Sequence, residues 1–166
     1  MSPTPIPNPI HLIPLSEYIQ KIGNYDIKQM TRENLPDLAG WASEAFTAGD
    51  PNLTWTKEKM LTHLNADFHP EFSFVICDGS TLLGGIMAYP CQYDKGKELF
   101  LHTIVIRNDM QSKGIGKLFL QWFIDYAKTQ GLTGIRLDAN SHLPSYQWYK
   151  QFGFKPSGWE QQILKF

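Results

Sequence analysis

Between Leu99 and Lys117 the chain reads Leu-Phe-Leu-His-Thr-Ile-Val-Ile-Arg-Asn-Asp-Met-Gln-Ser-Lys-Gly-Ile-Gly-Lys, and this stretch restricts the fold more than any other. Up to Ile106 it is a run of apolar, β-branched and aromatic residues interrupted by His102 and Thr103, the composition of a buried strand. Phe119, Trp122, Phe123 and Tyr126 then recur at helical spacing. A strand must therefore pass into a helix through Gln111-Ser112-Lys113-Gly114-Ile115-Gly116. The first amides of a helix have no intrahelical acceptors and carry the positive end of its dipole, so the junction suits a phosphate. Gly114 and Gly116 remove the side chains that would keep backbone and anion apart. Two familiar phosphate loops are excluded: no Gly-x-x-x-x-Gly-Lys-Ser/Thr occurs, and the dinucleotide fingerprint needs a glycine where Phe119 stands.

The 166 residues suit one domain with a real core. Fifteen basic against sixteen acidic residues argue against a general affinity for nucleic acid or an anionic membrane. Five tryptophans and ten phenylalanines suit a packed globule with an apolar pocket. Cys77 and Cys91 have no metal-clip or redox spacing and read as free thiols of a reducing compartment. No basic leader and no 18-residue apolar span is visible, which makes a cytoplasmic location the expectation.

Pro3, Pro5, Pro7, Pro9 and Pro14 deny residues 1 to 14 both helix and central strand, so an extended arm is expected, followed by a short helix from Ser16 to Ile22. Residues 1–24 thus form an appendage and 25–166 the domain. Tyr25 to Met30 alternates as a first strand. Thr31 and Thr56 are placed to cap two helices, the first reaching about Phe46. Glu71–Cys77 and Thr81–Tyr89 form a hairpin about Asp78-Gly79-Ser80, and Pro90 to Gly96 reads as a connection. After the long helix, Gly131 caps its end, Gly134 to Ala139 is a strand, and Pro144 opens a helix closed by Gly153. Phe154 and the segment Trp159–Phe166 are expected to add one or two closing strands. The class is α+β, with an antiparallel front half and a right-handed strand-helix-strand unit behind.

Two motifs now meet. Gln111-x-x-Gly114-x-Gly116 after a strand resembles the acyl-CoA signature of the GNAT superfamily of N-acyltransferases, and Tyr149-Lys150-Gln151-Phe152-Gly153-Phe154 resembles the Tyr-x-x-x-Gly-Phe that follows it there. The resemblance covers nearly everything beyond the arm. It implies a single domain with a central mixed sheet of six to seven strands, helices on both faces and a splayed parallel strand pair. It implies acetyl-CoA as cosubstrate and no metal. The pantetheine arm would lie along Ile104, Val105 and Ile106, and the pyrophosphate on the amides of Gln111, Ser112, Lys113, Gly114, Ile115 and Gly116. Lys117 either faces phosphate or is merely solvated.

The reaction implied is direct attack of a neutral amine on the thioester, which needs a base, donors for the oxyanion and an acid for the thiolate. Tyr149 matches the family tyrosine that serves as the acid. The stretch Leu99-Phe100-Leu101-His102 looks like the arylalkylamine N-acetyltransferase strand, in which two histidines alternate; His102 matches the second and Phe100 replaces the first. Strand alternation places Glu98, Phe100, His102 and Ile104 on one face. An imidazole titrates near neutrality and suits a base; the alternatives are a core histidine at 102 and Glu98 acting through water. Asn108 replaces a usual proline, and His142 replaces an asparagine that often contacts the cofactor, so Asn140 is the substitute candidate. Phe46, Trp55 and Tyr89 are the candidate wall for the acceptor. The acceptor expected is a small-molecule primary amine. A peptide or protein amine, with an open groove beside Trp55, and a non-catalytic acyl-CoA module are the alternatives. The protein would act as a monomer or homodimer.

Overall fold

The computed structural model describes residues 13–18 and 20–166; most of the expected proline-rich arm lies outside them. Among the described residues six strands form one sheet in sequential order: β1 (Lys21–Ile22), β2 (Tyr25–Gln29), β3 (Ser73–Asp78), β4 (Thr81–Tyr93), β5 (Gly96–Ile106) and β6 (Gly134–Arg136). All neighbours are antiparallel except β5 and β6, which are parallel. The mixed sheet and single domain agree with the class read from the sequence.

Helices α1 (Leu35–Gly49) and α2 (Lys57–Ala66) cover one face, and α3 (Ile115–Thr129) the other; α4 (Pro144–Lys150) follows β6. On the α3 face Phe74, Phe119, Trp122, Phe123 and Tyr126 pack with Ile76, Ile86, Leu99 and Leu101. Each such fully buried side chain contributes about 1.5–3 kcal/mol from area removed from water. The α1/α2 face is built of smaller residues: Leu35, Leu38, Ala39, Ala42, Met60 and Leu64 against Val75, Met87 and Val105. Helix α1 comes close to the sheet at Gly85, where a Cβ would stand 2.7 Å from Leu38 Cδ1. Thr56 caps α2 as expected, its side chain accepting from Lys59 N at 3.2 Å. Thr31 caps the 3-10 turn that leads into α1, in a capping box with Asn34.

Four expectations are corrected. Among the described residues, 16–18 and 20–22 hold no α-helix: one 3-10 turn, Leu15–Glu17, precedes β1, with Tyr18 set edge-on against Trp122 at 5.7 Å. Ile13, before that turn, is held by Gln130, whose side chain accepts from its N–H at 2.7 Å. The segment after Pro90 is strand rather than connection, since β4 runs on to Tyr93 and turns through Asp94-Lys95 alone. Pairing with β3 stops at Ser73↔Met87, so a residue without an N–H costs no ladder bond on that side. Strand β6 ends at Arg136, not Ala139. Finally, Phe154 and Trp159–Phe166 add no strand; Trp159 is 87% exposed and Ile163 and Leu164 78%. Gly158, at φ 83°, turns this segment, which is tied by Gln161 Nε2 donating to Asp138 Oδ2 at 2.8 Å rather than by a backbone ladder.

Candidate active site

The site begins with an irregularity in β5. Its ladder with β4 pairs Thr103 with Met87 but Leu101 with Ala88, so His102 is an extra residue with no opposite number, a β-bulge. The bulge interrupts the two-residue alternation. Leu99 and Leu101 point to the α3 face, but beyond the bulge it is Ile104 and Ile106 that do so, while Val105 joins the α1/α2 core. His102 and Thr103 therefore share the α1/α2 face, and His102 Nδ1 lies 2.8 Å from Thr103 Oγ1. Ile104 is thus not on the face of His102, contrary to simple alternation.

Helix α2 brings two further groups to this face. The side chain of His102 is 7% exposed, and its Nε2 lies 3.1 Å from Asp67 Oδ2. The angle is too poor for a hydrogen bond, so this buried nitrogen has no hydrogen-bond partner. The ring of His63 lies 4.5 Å from that of His102 and 5.3 Å from that of Trp55. Burial, and after it His63, hold His102 below the usual imidazole range; Asp67 pulls the other way. The net result is an uncharged imidazole at neutral pH, as a base requires.

The opposite edge of β5 is open. Its parallel ladder with β6 covers only Glu98–Phe100. Arg107 N donates to Leu83 O across to β4 at 2.8 Å, and in an antiparallel ladder main-chain groups alternate sides. Those of Ile104 and Ile106 therefore face the edge that β6 has left, where Ile106 O accepts from Gln111. Val105 turns its main chain to β4 and its side chain into the core.

At the end of this edge the chain makes an anion-ready turn. Ser112 (φ 62°) and Gly114 (φ 81°) are both left-handed, and Gly114 precedes α3 as its N-cap. Left-handed residues ahead of a helix N-terminus are a backbone form that can gather amides for an anion, at the positive end of the dipole. Gln111 departs from expectation: its side chain donates to Ile106 O and Asn108 Oδ1, both at 3.1 Å, and its N–H turns back on Asn108 O at 3.4 Å. It braces the turn. Asn108 also donates to Glu44 and so ties the turn to α1. Lys113 and Lys117 are exposed beside the loop.

A Cβ on Gly116 would stand 3.5 Å from Ile106 and 3.7 Å from Trp148, so α4 lies against the start of α3. The next residue, Tyr149, packs edge-on against Trp148 at 5.1 Å and Phe154 at 5.7 Å. Burial pushes its phenol up to about 12, which keeps the proton a general acid must hold. Asn140 organises the approach to α4: its side chain accepts from His142 N at 2.9 Å and its carbonyl from Leu143 N.

Glu98 is occupied. Its carboxylate is bridged by Arg136, whose guanidinium also lies 4.0 Å from the Tyr93 ring centroid. This places it four residues from His102 in an ion pair, a poor position for a water-mediated base. Tyr89 stacks on Phe100 at 5.3 Å and neighbours His69 at 5.7 Å. Trp55 reaches His63, whereas Phe46 stands 42% exposed on α1. Sequence reasoning missed Asp67, His63 and Thr103. The one signal was His63-x-x-x-Asp67, a spacing that puts both side chains on one side of a helix.

A parallel pair that parts after three residues, a glycine-opened helix and a buried imidazole thus lie around one strand. Residues 35–154 match the model of the acetyltransferase (GNAT) family, and the chain belongs to that family. An uncharacterized N-acetyltransferase of Methanocaldococcus jannaschii is 23% identical over 158 residues, 90% of this chain and 67% of that protein. Among solved structures, a possible acetyltransferase of Clostridium difficile 630 superposes with a TM-score of 0.72 at 12% identity, covering 86% of this chain and 97% of its own. A predicted acetyltransferase of Clostridium acetobutylicum solved with acetyl-CoA gives 0.63 at 12% identity over 84% and 96%. A ribosomal-protein-alanine N-acetyltransferase of Brucella melitensis gives 0.63 at 15% identity over 86% and 99%. No helix among the described residues is long and apolar enough to cross a membrane.

Proposed function

We propose that this chain is an acetyl-CoA-dependent N-acetyltransferase that acetylates a primary amine of a small molecule. The bulge at His102 carries this reading, because it puts a buried, uncharged imidazole on the strand whose other edge is open to an acyl-CoA. The pantetheine arm would pair with the main chain of Ile104 and Ile106. The pyrophosphate would take the amides from Ser112 to Gly116. Lys113 and Lys117 add positive charge at the rim.

In the reaction His102 Nε2 first takes a proton from the bound ammonium; the neutral amine nitrogen then bonds to the acetyl carbon as the thioester carbonyl opens to an oxyanion, and the second proton of that nitrogen leaves to solvent. Asp67 is a positioning residue: its carboxylate faces Nε2 and stabilises the imidazolium that forms. When the tetrahedral intermediate collapses and the C–S bond breaks, Tyr149 donates its proton to the leaving thiolate. Trp55 and Tyr89 line the acceptor side. A peptide amine is the second reading, favoured by a surface groove of about 380 Å³ between Trp55 and Ser43, Glu44, Thr47 and Ala48.

Thiol release from acetyl-CoA across a panel of small amines and N-terminal peptides tests both readings. Turnover on small amines supports the first and turnover on peptides alone the second. No release with any acceptor, although CoA raises the melting temperature, would leave a non-catalytic acyl-CoA module. Gly114→Val, which forces a β-branched residue to φ 81°, is expected to abolish the CoA-induced shift.

A further inference from the structure

His63, in the last turn of α2, and Asp67, the residue that caps its end, meet His102 on the facing strand. One nitrogen of each imidazole and one Asp67 oxygen lie within 4.8 Å of one another. A second observation points into the same space. His102 Nε2 is buried on a side chain only 7% exposed, faces the Asp67 carboxylate and makes no well-formed hydrogen bond. The geometry points to a zinc site: His63, Asp67 and His102 are the ligands of one Zn²⁺ ion, which silences the transferase while it is bound.

Two imidazoles and a carboxylate form a donor set for zinc or cobalt, whereas magnesium and calcium favour all-oxygen shells. Bonds of about 2.0–2.1 Å in a tetrahedron put donors about 3.3 Å apart, and the Asp67–His102 pair is already at 3.1 Å. His63 is exposed and closes the remaining gap by a side-chain movement. Thr103, 2.8 Å from the other ring nitrogen of His102, fixes the ring as outer-shell partners of metal-bound histidines do. Three protein ligands leave one position for water.

Silencing rests on the proposed function, since the lone pair that would take the amine proton is the one that binds the ion; cation binding does not. Titration of the full chain with Co²⁺, read by its visible absorption, and with Zn²⁺ against a chromophoric chelator should give one ion per chain. His63→Ala and Asp67→Asn should each weaken Zn²⁺ by about 100-fold or more, and Thr103→Val by about 10-fold. Circular dichroism confirms folding, and exposed His63 is the variant least able to perturb it. Zn²⁺ should stop thiol release and a chelator restore it. No stoichiometric binding, or equal affinity in His63→Ala and wild type, would mean an adventitious ion only and overturn the site. Stoichiometric, His63-dependent binding in a protein that releases no thiol with any acceptor would keep the site and remove the silencing together with the transferase reading.

Discussion

The two edges of β5 are built in different ways. On the side proposed for the cofactor the groups offered are main chain: the outward-facing Ile104 and Ile106, and the amides of a turn held by Gln111 and Asn108. On the side proposed for the acceptor they are side chains from separate parts of the chain, with His63 delivered by α2, Asp67 by its C-terminal cap and His102 by the bulge. Backbone sites depend on dihedral angles, so they persist under most substitutions and leave a short local pattern. Side-chain sites depend on which elements meet, and one substitution removes a group altogether.

That contrast sets the expected order of effects. Replacing the base should cost most: His102→Gln is expected to lower kcat about 10²- to 10⁴-fold while CoA affinity measured by calorimetry stays unchanged. A parallel loss of CoA affinity would show that the two edges are not separable. Tyr149→Phe should lower kcat by about 10- to 100-fold, less than His102→Gln because a thiolate leaves with little help. On the backbone side, Lys117→Ala should weaken CoA less than about fivefold, since an exposed charge pair contributes about 0–1 kcal/mol. A larger loss would make the rim lysine, rather than the amides, the main phosphate contact.

The smallest effect is a displacement of the pH profile. His102 is held below the usual imidazole range, so kcat/KM should rise through an apparent pKa below about 6.5 and then stay level through neutrality. Asp67→Asn removes an influence that raises His102 and should move this limb further down, whereas His63→Gln removes one that lowers it and should move the limb up. The same sign governs stability. A histidine with a depressed folded-state pKa contributes stability that is present above the unfolded imidazole value and lost as pH falls through the folded one. Acid unfolding of His102→Gln should accordingly begin at lower pH than that of the wild type.

Much of the frame was legible. The glycine-opened helix start, the Thr56 cap and the β3–β4 hairpin all follow from local patterns, because turn chemistry and capping act within a few residues. Pro90 misled, because a proline marks a break only where its missing N–H would have been paired, and that depends on where β3 ends. The apolar residues at 159 to 166 misled in the opposite direction, since strand-like composition makes a strand only beside a partner.

The lesson returns to His102. By itself the sequence determined that a strand runs into a glycine-opened helix, that Tyr149 follows on a short helix, and that a histidine interrupts an apolar strand. Only the tertiary structure decided which way that histidine faces. The bulge is a mismatch between β4 and β5, and Asp67 meets Nε2 only because α1 and α2 pack on that face of the sheet. Hydrogen bonds within a helix or turn are settled by neighbours in sequence. The register of two strands, and the group that a helix sets against it, are settled by the packing of the whole core.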